Sequence, residues 1–153
     1  MPSLASALTF LLLASPVAVG EISTVPDSEL SIGGVALDAE ESLVVRTLGQ
    51  PTSTTDTGDF LNVRLEYSGL TIWLGEGRRV GEILSTSPKH CTPGGICPGM
   101  PFSKVEALHG APVVASREEG EFMEYFPESD FPCWLQLAVS ARVVKSVRAE
   151  CQP

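Results

Sequence analysis

Four cysteines, two histidines and a run of carboxylates are the residues of this chain whose types and spacing could do chemistry. Cys91 and Cys97 enclose Thr92-Pro-Gly-Gly-Ile96, with His90 immediately before them. Such a stretch could clip a metal, run a thiol–disulfide reaction or staple a loop. Structural zinc sites use shorter ligand spacings, usually with histidines in reach, and His90 and His109 are the only histidines here. Five residues between the cysteines do not make the Cys-x-x-Cys pair of redox enzymes. A disulfide staple is the economical reading, and four cysteines allow three connectivities.

Nucleophilic catalysis of the Ser/His/Asp type needs His90 or His109 as the base. His90 adjoins the cysteine loop, and His109 sits near a helix terminus, where its charge suits the helix dipole. Neither lies in a nucleophile motif. Glu118, Glu119 and Glu121 cluster in a turn-rich stretch, and nothing places two of them across a cleft as glycoside hydrolysis requires. Gly94-Gly95 falls inside the cysteine loop rather than between a strand and a helix, so it is no phosphate loop. The acidic residues lack the spacing of an EF-hand. The chain is read as a non-enzyme without cofactor or metal, and a small hydrolase is the least favoured class.

The chain has 153 residues, enough for one domain or two small repeats sharing a core. Residues 1–20, MPSLASALTFLLLASPVAVG, carry no charged side chain and hold an apolar run from Leu4 to Ala14. Ala18 and Gly20 are small residues at a cleavage position, which is the anatomy of a secretory signal peptide, although no Lys or Arg precedes the apolar run. That run is too short to span a bilayer, so no stable membrane insertion is expected after cleavage near Glu21. The expected organisation is 1–20 signal peptide, 21–88 first repeat and 89–153 second repeat, in a periplasmic or secreted protein where disulfides persist. Ten basic against nineteen acidic residues leave a net charge of −9. Nucleic acid would be repelled, and a basic protein would be steered in.

Periodicity supports two halves. In the first, Gly33-Gly-Val-Ala36 leads to a helical pattern from Asp38 that ends in Gly49-Gln-Pro51; in the second, Gly99-Met-Pro-Phe102 leads to one from Ser103 that ends in Gly110-Ala-Pro112. Asp38 and Ser103 are the candidate N-caps, and Gly followed by Pro stops each helix. Strands follow: Phe60–Tyr67, Gly69–Leu74 and Val80–Leu84, then Glu121–Phe126, Cys133–Val139 and Val143–Cys151. Pro51–Gly58 and Arg117–Gly120 read as loops. The predicted fold class is therefore α+β: two tandem repeats, each a short helical segment packed on antiparallel strands.

This placement orders the cysteines. Cys133 begins one strand and Cys151 ends its hairpin partner, so the two fall nearly opposite, within disulfide reach. Cys91 is then left to Cys97 at the junction between the halves.

The pattern Gly99-Met100…Ser103-x-Val105…Leu108-x-Gly110-x-Pro112, with Gly69-Leu-x-Ile-x-Leu74 and a return strand at Val80, resembles the repeat of the secreted β-lactamase inhibitory proteins. It is also similar to the small lipoprotein of the outer-membrane β-barrel assembly machinery. The lipidated cysteine that opens those lipoproteins is absent here, and the helices are shorter. The resemblance implies a protein that binds another protein through the solvent face of its sheet. Carried onto this chain, it points to Thr71 and Trp73, to Arg64 and Glu66 on the neighbouring strand, and to Trp134 and Gln136 in the second half. Trp and Arg are common interface anchors. The expected function is a protein-binding module, one version being an inhibitor of a basic extracellular or periplasmic enzyme; a structural envelope factor in outer-membrane assembly is the alternative.

Overall fold

The computed structural model describes residues 21–152. The stretch expected to be a signal peptide, 1–20, lies outside the described residues. The chain opens with β1 (Thr24–Val25), a small hairpin of β2 (Ser31–Ile32) and β3 (Val35–Ala36), and α1 (Glu41–Leu48). Four strands follow: β4 (Ser53–Asp56), β5 (Val63–Tyr67), β6 (Leu70–Leu74) and β7 (Val80–Ser85). The loop holding Cys91 and Cys97 leads into α2 (Phe102–His109). Four more strands complete the chain: β8 (Val113–Arg117), β9 (Gly120–Pro127), β10 (Cys133–Ser140) and β11 (Val143–Cys151).

Nine of the eleven described strands form one sheet in the order β1-β9-β10-β11-β7-β6-β5-β4, with β8 also on β9, and β2 and β3 pair with each other in a second, two-stranded sheet. The β1–β9 pair is parallel, so the sheet is mixed. The expected α+β architecture of two helix-on-strand repeats is therefore corrected to a mostly β body. The reason is the β7–β11 seam, where Glu82, Ile83, Leu84 and Ser85 pair with Glu150, Ala149, Arg148 and Val147. Residues of β7 and β11 that alternation could place only on a face are joined edge to edge, and one core runs beneath the sheet, from Val44 and Ile72 to Val105 and Leu135. Each helix is only eight residues long and buries one or two side chains, Val44 in α1 and Phe102 with Val105 in α2. Such short helices plug the sheet rather than form a layer.

The expected helix stops are present. Gly49 and Gly110 take φ of 82° and 80°, and their amides return to Val45 and Glu106 carbonyls. Their own carbonyls accept hydrogen bonds from the Tyr67 and Tyr125 hydroxyls at 3.1 and 2.9 Å, tying each helix end to a strand. The expected caps are not. Asp38 lies at φ 64° outside α1, Ser103 lies within α2, and Glu40 and Pro101 occupy the N-cap positions without a side-chain cap. Part of the segment read as a loop after Pro51 is the exposed edge strand β4, and Arg117, also read as loop, ends β8.

Both disulfides join the expected pairs, Cys91–Cys97 and Cys133–Cys151. Cys133 and Cys151 are directly paired across β10 and β11, with Cα atoms 3.8 Å apart.

Candidate functional site

Strand register builds the site. In β6, Leu70, Ile72 and Leu74 are buried, which turns Thr71 and Trp73 to the opposite, partly open face. Directly opposed residues of antiparallel strands share a face. One row on that face therefore runs Arg64–Trp73–Glu82–Glu150–Trp134 across β5, β6, β7, β11 and β10. The adjacent row runs Glu66–Thr71–Leu84–Arg148–Gln136–Glu124, reaching β9. All six residues singled out from the sequence lie in these two rows. Gln136 is the one that is sealed, only 8% exposed, because it spends its Nε2 on Glu124 Oε1 at 3.1 Å.

Sequence reasoning did not name the four charged residues that organise this face. Arg148 pairs with Glu82, and its guanidinium lies 6.0 Å from the centre of the Trp73 ring. Arg117 pairs with Glu124 at 2.8 Å and lies 5.9 Å from the Trp134 ring. Each tryptophan is thus stacked by an arginine that a carboxylate holds in place, a geometry favourable to the cation and the ring. Glu124 is 2% exposed and also receives Gln136. Thr71 donates to Glu66 at 2.9 Å, and Arg64 Nε lies 2.9 Å from the same carboxylate. The signal available in the sequence was parity: Glu82, Glu124, Arg148 and Glu150 share the phase of Trp73 and Trp134 once the pairing is known.

Burial raises the carboxyl pKa of both Glu82 and Glu150 above the ordinary value. Arg148 opposes the rise in each, and Glu150 adds to it in Glu82. The Trp134 N–H favours the Glu150 carboxylate but makes no hydrogen bond of ordinary geometry.

Among the described residues, two clefts on this face include Glu150 in their walls. One, about 410 Å³, is lined by Asp59, Phe60, Trp73, Glu82 and Glu150 among others. The second, about 270 Å³, lies between Arg117, Trp134, Arg148 and Glu150. Glu150 stands on the ridge between them. A larger groove of about 670 Å³ runs by Leu30, Val80 and Phe131, but its carboxylates are engaged: Asp27 accepts from the Ser129 amide at 3.1 Å, and Asp38 lies 3.6 Å from Arg79.

The cysteine loop has its own polar core. The buried Glu29 carboxylate accepts the Thr92 hydroxyl and the Gly94 amide, both at 2.5 Å. His90 bonds the Ser68 carbonyl at 3.1 Å, and His109 packs edge-on to Tyr125. Among the described residues no group of three or more His, Cys, Asp or Glu side chains could hold a metal ion.

No family model matches this sequence, and no curated protein does. Solved structures do match in fold. An extracellular protein containing a SCP domain from Bacillus anthracis aligns with a TM-score of 0.55 at 11% identity, covering 92% of this chain and 50% of that one. A cysteine-rich secretory protein from Staphylococcus aureus aligns with 0.56 at 8% identity, covering 84% and 49%. A DUF4309 family protein from Bacillus subtilis aligns with 0.50 at 11% identity, covering 78% and 83%. The chain spans about half the length of the first two. At such identities the likeness shows the fold alone, and none of the three is a β-lactamase inhibitory protein or an assembly lipoprotein. The two disulfides fit an extracellular protein.

Proposed function

We propose that this chain is a secreted or periplasmic protein-binding module that acts through the outer face of its sheet, without catalysis of its own. The observation that carries the reading is the pair of tryptophans on that face, each stacked by a carboxylate-held arginine. Binding hot spots are enriched in Trp and Arg, and anchors already fixed in place lose little side-chain entropy on association. The opposite face is occupied by the core and the helices. The acidic charge favours a basic partner, of which an extracellular enzyme held in check is one version. The extracytoplasmic placement is supported by the two disulfides and by structural neighbours described as extracellular and secretory.

The test is site-specific photocrosslinking in envelope and secreted fractions. A photoreactive residue at Thr71 should capture a discrete partner, whereas one at Leu43 on α1, 43% exposed, should not. Equal capture from both positions, or none from Thr71, would sink the reading.

A further inference from the structure

The cleft beside Trp73 has a charge imbalance that the fold does not correct. Glu82 and Glu150 face each other directly across β7 and β11, and like charges so placed repel. One arginine, Arg148, is ion-paired to Glu82. Glu150 forms no ion pair among the described residues, and neither does Asp59 on the far rim; no basic residue lines the cleft. The remaining wall is aromatic: the half-buried Trp73 ring, and Phe60, which is 71% exposed. A partly desolvated carboxylate without an ion-pair partner is costly, and an exposed phenyl ring at the same opening is unfavourable in water.

We propose that this cleft takes the cationic end of a lysine or arginine side chain presented by the protein partner, with Glu150 as the counter-charge and Trp73 and Phe60 as the walls. The proposal rests on the protein-binding reading above and names the chemistry of the anchor on the partner's side. Three features select that chemistry. The volume, about 410 Å³, accommodates an extended basic side chain. Aromatic rings attract a cation over their faces and cover its methylene stem. Of the two carboxylates it is Glu150 that has no ion pair, because Arg148 is bonded to Glu82 and acts on Glu150 only through its field, so a partner's cation completes an alternating row rather than adding to a crowded one. Burial raises the carboxyl pKa of Glu150 even with Arg148 and the Trp134 N–H opposing the rise, in keeping with a partly desolvated carboxylate at the cleft.

The experiment uses the disulfide-bonded chain and three capped tripeptides, Ac-Gly-Lys-Gly-NH2, Ac-Gly-Arg-Gly-NH2 and the norleucine analogue, with the two indole N–H signals followed by NMR. The lysine and arginine peptides should shift the Trp73 indole saturably, the norleucine peptide should not, and Glu150→Gln should weaken the response by roughly fivefold, the scale of one lost charge-assisted contact. An equal response to norleucine, no response to either cation, or an unchanged response in Glu150→Gln would overturn the proposal. Capture of a partner at Thr71 with no peptide response removes this inference alone. A cation response with no partner captured at Thr71 removes the protein-binding reading and leaves the cleft's cation selectivity standing.

Discussion

Glu82 and Glu150 stand directly opposite each other on β7 and β11, and a single arginine, Arg148, serves the pair. The seam between the two runs of strands therefore carries excess negative charge at mid-sheet. Burial raises both carboxyl pKa values above the ordinary glutamate value. A raised carboxyl pKa means that the folded state binds the proton more tightly than the unfolded one. These two groups therefore favour folding below the unfolded pKa, and that contribution is lost as the pH rises through the folded values.

Glu150→Gln should accordingly be more stable than the wild type at pH 7, and the difference should fade as the pH falls below the ordinary glutamate pKa, where the carboxyl is protonated in both the folded and the unfolded state. Thermal melts of the two proteins across that range check it. A residue that costs stability at neutral pH and lies at a cleft has the profile of one retained for binding.

The two disulfides should differ in weight. The Cys133–Cys151 bridge has a sequence separation of 18 and the Cys91–Cys97 bridge one of 6. Loop-closure entropy gives about 3 kcal/mol for the longer and about 2 kcal/mol for the shorter. Paired cysteine-to-alanine variants, compared by urea unfolding under non-reducing conditions, should fall in that order.

Gly94→Ala should destabilise the junction loop. A Cβ on Gly94 would lie 2.6 Å from Glu29 Oε1 and push the carboxylate off the amide and the Thr92 hydroxyl. Leaving these buried partners unpaired costs on the order of 2 kcal/mol, readable in the same unfolding measurement. Glu29→Ala removes the acceptor without the clash and should cost a similar amount.

What could be read beforehand follows from which interactions are local. The phase of Leu70, Ile72 and Leu74 turned Trp73 outward, the hairpin spacing joined Cys133 to Cys151, and Gly49 and Gly110 stopped the helices; each depends on neighbours within one strand pair or one turn. The β7–β11 seam depends on residues more than sixty positions apart, such as Glu82 and Glu150, whose pairing no local pattern encodes. The β1–β9 parallel pair is equally remote, with Thr24 opposite Phe126. β4 escaped because Ser53, Thr54, Thr55 and Asp56 are all exposed, so an edge strand there has no apolar alternation to show. The arginine–tryptophan stacks escaped for the same reason as the seam: Arg148 meets Trp73 only after β11 is laid beside β7.

The measurement that bears most directly on the central claim is the affinity of Trp73→Ala for the partner captured at Thr71, taken together with its melting temperature. Because Trp73 is half-buried on the open face, the variant should melt within a few degrees of the wild type and bind roughly thirtyfold more weakly, about 2 kcal/mol. A variant that binds as tightly as the wild type, or one that loses its fold, would contradict the assignment of the outer sheet face as the binding surface.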